Sequence, residues 1–181
     1  LEVEIKLKVY ESELKRLKES LSKQCVQLEE AELVDYYLSH PCYDMAERDE
    51  ALRLRVKRAN TKEEAELTYK GKRIEEKGVK SREEISVSVS DWANLLNILK
   101  AVGFIDFAKV RKVRIDFDCY SYKISLDRVD DLGTYVEIEG KNDCNADCIL
   151  AVLKKLNIQG EVEKRTYLEL ILSTRSGNGQ K

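Results

Sequence analysis

The chain has 181 residues, enough for one domain with a real core, and its 43% hydrophobic and 36% charged content describes a globular protein unusually rich in charge. The 32 basic and 34 acidic side chains nearly cancel to a net −2, so the basic excess that holds an extended nucleic acid is missing. No apolar run approaches membrane-spanning length, so no membrane helix is expected.

Period-two alternation of charged with branched or aromatic residues predicts eight strands: Glu2 to Tyr10, Cys25 to Ser39, Ala51 to Ala59, Glu63 to Lys72, Arg82 to Val89, Phe104 to Asp118, Ser121 to Val129 and Thr134 to Gly140. Three helices fall between or after them. Glu11 to Lys23 sets Leu14, Leu17 and Leu21 on one stripe. Asp91 to Val102 carries Trp92, Leu95, Leu96 and Leu99, with Ser90 as its cap and Gly103 as its stop. Asp143 to Leu156 carries Ile149, Val152, Leu153 and Leu156 behind Asn142 or Asp143. The segment Val162 to Leu172 reads equally as helix or strand, and Ser173 to Lys181 has no apolar periodicity and is expected to be a disordered tail. Residues 1–172 are thus expected to form one domain. The short connections at Asn60 to Lys62, Cys119 to Ser121 and Asp130 to Gly133 suggest hairpins. Antiparallel pairing follows, and eight such strands can close into a barrel. The fold class expected is α+β, mainly β, with covering helices.

The five cysteines, Cys25, Cys42, Cys119, Cys144 and Cys148, show no framework spacing, and no signal peptide is expected, since the first segment is charged and alternating. Free thiols in a reducing cytoplasm are expected. Cys144 and Cys148 read as small residues on one helical face rather than as zinc ligands, since no second pair accompanies them. His40, the single histidine, sits before Pro41 in a loop and carries no catalytic expectation.

Charge keeps to one face of strand after strand. Glu2, Glu4 and Lys6 oppose Val3, Ile5 and Leu7; Arg53 and Arg55 oppose Leu52 and Leu54; Lys112 and Arg114 oppose Val113 and Ile115; Glu137 and Glu139 oppose Val136 and Ile138. Alternation alone leaves open whether these faces are solvated or line an interior. The signs sort along the chain, with acids at both ends of the series and Arg53, Arg55, Lys70, Lys112 and Arg114 between. Chemically, carboxylates two apart on a strand can share a hard divalent cation, while Arg forks and Lys ammoniums suit phosphate oxygens. No P-loop, GxGxxG run or Ser/His/Asp arrangement competes.

The run Glu2-Val3-Glu4-Ile5-Lys6 is an ExExK motif. With Ala51 to Arg55 (ALRLR), Leu67 to Gly71 (LTYKG), Arg82 to Ile85 (REEI), Arg111 to Arg114 (RKVR), Leu126 to Val129 (LDRV) and Leu132 to Glu139 (LGTYVEIE), it resembles the CYTH, or triphosphate tunnel metalloenzyme, superfamily over nearly the whole chain. Tyr36 to Pro41 (YYLSHP) and the Leu132 to Glu139 ending look most like the class IV adenylyl cyclase (CyaB-like) branch. The resemblance implies a closed eight-stranded antiparallel barrel, a tunnel with a charged interior. It implies Mg²⁺ or Mn²⁺ held by Glu2, Glu4, Glu137 and Glu139. It also implies a triphosphate gripped by Lys6, Arg53, Arg55, Lys70, Lys112 and Arg114, with Glu2, Glu4, Lys6 and Asp127 as the catalytic set. Glu84 matches a further tunnel acid, whereas Ser86 replaces the acid often seen after it.

Two reactions suit such a tunnel: cyclisation of ATP to cyclic AMP and pyrophosphate, and hydrolysis of inorganic, thiamine or nucleoside triphosphate. The cyclase branch ranks first on resemblance, the triphosphatase second, and a non-catalytic polyphosphate or nucleotide sensor third. A small-molecule triphosphate is the expected partner, without membrane or extended nucleic acid, and a homodimer is allowed.

Overall fold

Residues that alternate charge with branched carbon cannot bury one side of a helix, but they dress the two faces of a strand. The computed structural model describes residues 2–141 and 144–177 and is built mainly of antiparallel strands, with four helices. In chain order these are β1 (Glu2–Val9), α1 (Glu11–Leu21), β2 (Val26–Ser39), β3 (Ala51–Ala59), β4 (Lys62–Lys70), β5 (Ile74–Glu76), β6 (Val79–Arg82) and β7 (Glu84–Val89). There follow α2 (Trp92–Ala101), β8 (Ile105–Cys119), β9 (Tyr122–Val129), β10 (Gly133–Gly140), α3 (Ala146–Leu156), β11 (Gly160–Val162) and α4 (Tyr167–Gly177). All eight expected strands are present. The hairpin of β5 and β6 is an addition, turning on Lys77 and Gly78 at positive φ (53° and 81°), the backbone geometry of a two-residue hairpin loop.

The chain forms two compact units. The first comprises Leu1–Glu30, Ile74–Ser81 and Val113–Lys164; the second comprises Ala31–Arg73, Arg82–Lys112 and Arg165–Lys181. The strand order runs β5-β6-β1-β10-β9-β8, with β11 also on β1, in the first and β2-β3-β4-β7 in the second. Strands β2 and β8 are each divided, 26–30 and 113–119 belonging to the first unit and 31–39 and 105–112 to the second. The single strand expected over Arg82 to Val89 is interrupted at Glu83, so that β6 pairs with β1 and β7 with β4. Neither order closes into a ring among the described residues, which replaces the expected closed barrel of eight with an open antiparallel path of the same class.

The first unit buries the apolar faces of its strands under α1 and α3. Ile5, Leu7, Ile115, Phe117, Ile124, Leu126, Val136 and Ile138 pack with Leu14, Leu17 and Leu21 of α1 and Ile149, Val152 and Leu156 of α3. The leucine stripe of α1 recurs at i, i+3 and i+7, and Glu11 and Glu13 stand in its first turn where the helix dipole favours acids. Leu17 is fully buried, so truncation to Ala costs about 2–5 kcal/mol. The cap of α3 is Asn145, whose side chain accepts from the Cys148 backbone N–H at 3.1 Å. The caps expected there, Asn142 and Asp143, lie outside the described residues.

The second unit packs Leu38, Leu54 and Leu96 with Tyr36, Trp92, Leu95, Leu99 and Phe104, so α2 covers its apolar face. Asp91 rather than Ser90 caps α2, accepting from Asn94 N–H at 3.0 Å. Gly103, at φ 102°, ends it where a side chain would be strained. The ambiguous segment after Val162 divides: its start completes β11, and from Tyr167 it is helical. Helix α4 runs on through Gly177, into the stretch expected to lack structure, and residues 178–181 lie outside the described set.

Four of the five cysteines are not free. Disulfides join Cys25 to Cys119, with Cα atoms 4.8 Å apart, and Cys144 to Cys148, 5.3 Å apart. The first was hidden because its partners are 94 positions apart in sequence, yet Cys25 immediately precedes β2 and Cys119 ends β8, and these strands are paired neighbours. Only Cys42 is a free, exposed thiol among the described cysteines. No helix among the described residues is long and apolar enough to cross a membrane.

Candidate functional site

Cross-strand register decides which charges meet in the first unit. Between β1 and β10, Glu4 stands opposite Glu139, Lys6 opposite Glu137 and Lys8 opposite Tyr135. Between β10 and β9, Glu139 faces Lys123, Glu137 faces Ser125 and Tyr135 faces Asp127. Side chains two apart share a face, so Glu2, Glu4, Lys6, Glu137, Glu139, Lys123, Ser125 and Asp127 lie together, on the side away from α1 and α3. This side is not a solvated surface, because Lys6, Arg114 and Asp127 are all buried.

A guanidinium organises this face. Arg114 donates from Nε and Nη2 to the two oxygens of Asp127, at 2.6 and 2.5 Å, and its Nη2 also donates to Glu137. Burial works against the charge on Arg114, but Asp127 and Glu137 outweigh it and hold its pKa well above the ordinary value. Lys6 shows the opposite balance. Its burial lowers the ammonium pKa, and Glu137, Glu4, Glu163 and Asp127 offset that only in part. Lys123 pairs with Glu139 at 2.6 Å, which raises its pKa in spite of burial, and Ser125 donates to Asp116 at 2.5 Å.

Glu2, Glu4, Glu137 and Glu139 therefore occupy neighbouring positions on two paired strands. All are hard oxygen donors, and Glu4 opposite Glu139 is a like-charge pair that a cation relieves. The donor set fits a divalent ion. It is not drawn together as a finished cage, since no group of three or more acids, His or Cys among the described residues is arranged to hold a metal. Arg114 and Lys123 instead balance Glu137 and Glu139.

The second unit carries the other charged face. Here Asp35 stands opposite Arg55 and Tyr37 opposite Arg53; Arg53 is opposite Thr68, Thr68 opposite Ser86, and Lys70 opposite Glu84. Lys70 is ion-paired with Glu84. Arg55 donates to both oxygens of Asp35, from Nε at 2.6 Å and Nη2 at 2.7 Å. Asp35 is 1% exposed. Burial alone would raise its pKa, but Arg55, then Arg53 and Lys112, drive it far below the usual carboxylate range. Lys112 is buried and its ammonium lies 4.5 Å from the ring centre of Tyr167 in α4, a cation–π contact. Arg53 differs from Arg55. At 7% exposure it has a long contact to Thr68 Oγ1 (3.4 Å) and a distant carboxylate in Glu66 (3.9 Å), and its Nε donates to nothing among the described residues.

The CYTH domain model matches residues 1–167. The chain belongs to the CYTH domain family. This CYTH chain is 32% identical to the Methanocaldococcus jannaschii protein named "Putative adenylate cyclase MJ0240", over 94% of its own length and 98% of that protein's. Among solved structures it resembles the PH1819 protein of Pyrococcus horikoshii, with a TM-score of 0.83, 33% identity and coverage of 97% of this chain and 100% of that one. It also shares its fold with a Hippeastrum protein named "Putative adenylyl cyclase HpAC1" and described as revealing a dominant triphosphatase activity. That likeness has a TM-score of 0.71 at 21% identity, covering 98% and 96% of the two chains.

The residues expected from sequence thus divide between the units. Glu2, Glu4, Lys6, Arg114, Asp127, Glu137 and Glu139 lie on the first unit's charged face, and Arg53, Arg55, Lys70, Lys112 and Glu84 on the second's. Three participants escaped the sequence reading. Asp35 is an acid within the mostly apolar run Leu33 to Leu38, and its parity matches the charged side of β3. Glu163 follows β11, and its backbone N–H donates to Lys6 O at 2.8 Å. Tyr167 opens α4, where helix and strand were not distinguishable.

Proposed function

We propose that this CYTH protein is a divalent-metal-dependent enzyme acting on a triphosphate, with adenylyl cyclase chemistry on ATP as the first reading. The observation that carries the reading is Arg53: a buried guanidinium with an unused donor, beside two further buried or half-buried cations on the same face. A desolvated charge with an open hydrogen-bond position suits a ligand oxygen, and phosphate supplies several. Lys112 and Arg55 add positive charge around the same buried acid, Asp35. In the first unit, Lys6 supplies an ammonium of lowered pKa, suited to phosphate oxygens or to a proton in transit. Glu2, Glu4, Glu137 and Glu139 are the residues that would hold Mg²⁺ or Mn²⁺, which supplies charge neutralisation and Lewis acidity to phosphoryl oxygens. Asp127 keeps Arg114 oriented and charged.

Hydrolysis of a triphosphate is the second reading. It is favoured by the make-up of the two faces, where the named side chains are nearly all suited to phosphate or metal, and by a fold that serves a triphosphatase in the Hippeastrum neighbour. Incubation with ATP or with inorganic triphosphate, each with Mg²⁺ or Mn²⁺, separates the readings. Cyclic AMP with pyrophosphate supports the first, and orthophosphate the second. Turnover that survives Glu4→Ala, Glu137→Ala and Arg53→Ala would remove the site assignment altogether.

A further inference from the structure

We propose that Asp35 is a positioning residue for anion binding, acting through Arg55; the proposal rests on the triphosphate reading of the second unit's charged face. Three observations converge on it. First, Asp35 is buried and takes both of its strong hydrogen bonds from a single guanidinium edge, Nε and Nη2 of Arg55, at 2.6 and 2.7 Å. Second, β2 and β3 place the two residues directly opposite each other, with Tyr37 and Arg53 as the next pair along the same face. Third, the negative charge of Asp35 also acts on Arg53 and Lys112, so three cations are gathered around one buried acid.

A long Arg side chain is expensive to order and its plane can rotate. The bidentate contact fixes that plane before any ligand arrives, which lowers the ordering cost of binding. A buried carboxylate also lets like charges stand close together without a ligand. The first unit repeats the device, with Asp127 holding the Nε and Nη2 edge of Arg114 in the same bidentate way. Asp35 thus does for the second face what Asp127 does for the first. It touches no reacting group itself.

The test uses the whole chain and inorganic tripolyphosphate as the probe, with binding measured by calorimetry for wild type, Asp35→Asn, Arg55→Met and the double variant. Asp35→Asn is expected to weaken binding about tenfold, the scale of one charge-assisted contact. The double variant should bind no more weakly than Arg55→Met alone, since Asp35 acts through Arg55. If an activity is found, the loss should appear in KM and its pH profile should be unchanged. The Nε–H exchange of Arg55, read by NMR in the wild-type protein, needs no variant to fold and should be slow compared with that of exposed Arg48. Fast exchange at Arg55 overturns the clamp. Binding by the wild type that Asp35→Asn leaves unaltered overturns the positioning role alone. Absence of tripolyphosphate binding by the wild type, with Arg55 still protected, overturns the triphosphate reading and the role that rests on it.

Discussion

The pairing of Arg114 with Asp127 gives an asymmetric prediction. Asp127 is 0% exposed and Arg114 8%, and Arg114 also reaches Glu137. Breaking a buried ion pair from one side costs about 3–5 kcal/mol because a charge is stranded. Asp127→Asn leaves Arg114 with Glu137 as its counter-ion, so its cost belongs near 3 kcal/mol. Arg114→Met removes the guanidinium from two carboxylates, one of them wholly buried, with Lys6 left as a cation near them, so its cost belongs toward about 5 kcal/mol at pH 7. The two variants also differ in pH dependence. In Arg114→Met, burial favours the protonated form of Asp127 more than it does in the wild type, because the guanidinium that opposes it is gone. A carboxylate pKa raised relative to wild type penalises folding of the variant above that value, and the penalty shrinks as pH falls through it. Urea unfolding at pH 7 and pH 5 therefore should show the gap between Arg114→Met and wild type narrowing on acidification. A pH-independent gap, or an Asp127→Asn variant less stable than Arg114→Met, would refute the account of this cluster.

Other consequences can be measured directly. Glu169 is held at about 2 although burial pulls the other way, because Arg73 and the Thr166 backbone and hydroxyl all donate to or contact it. Its stabilisation is present above the unfolded value and lost as pH falls through about 2; Glu169→Gln should cost about 1 kcal/mol at pH 7, after allowance for solvent screening, and nothing at the acid end, read as thermal midpoints against pH. Opening the Cys25–Cys119 disulfide by Cys25→Ser should cost about 4 kcal/mol under oxidising conditions, given the 94-residue separation, and nothing in excess reductant. Cys148→Ser, which opens a separation of four, should cost about 2 kcal/mol. A Cβ on Gly160 would lie 2.7 Å from Lys8 O and 2.8 Å from Val9 Cγ1. Gly160→Ala should therefore loosen β11 from β1 and cost about 1–3 kcal/mol, visible as faster amide exchange at Leu7 and Val9.

The strands were legible because their alternation is nearly unbroken. Val3 to Val9 and Val113 to Phe117 could not present one face each in any other periodic form. The side on which the charges lie was not legible from alternation, since a solvated face and an interior face have the same pattern. Burial of Lys6, Arg114 and Asp127 decides it. Short elements escaped for a physical reason: β5 and β11 have three residues each, too few for a period to declare itself. The turn at Lys77-Gly78 was a signal that could have been used. Helix caps shifted by one to three positions because Ser90 and Asp91, and Asn142 through Asn145, all include good capping side chains. The disulfides depend on spatial neighbours far apart in sequence. Asp35 was overlooked because a lone acid on a strand carries no motif, and its meaning appears only when Arg55 is found opposite.

The position of β1 between β10 and its other partners bears on how this chain acquires its structure. Glu4 pairs with Glu139, a separation of 135 residues taken from the two positions, and Leu7 pairs with Val162 farther still. Contacts of that span are slow to form, because the entropy of closing a long loop precedes the energy gained from pairing. During synthesis β1 waits for its first partner until β6 has left the ribosome, and for β10 longer still, so its alternating apolar side chains are exposed to other nascent strands meanwhile. The closely spaced Glu2, Glu4, Lys6 and Lys8 would then act as gatekeepers, keeping the waiting segment from premature association.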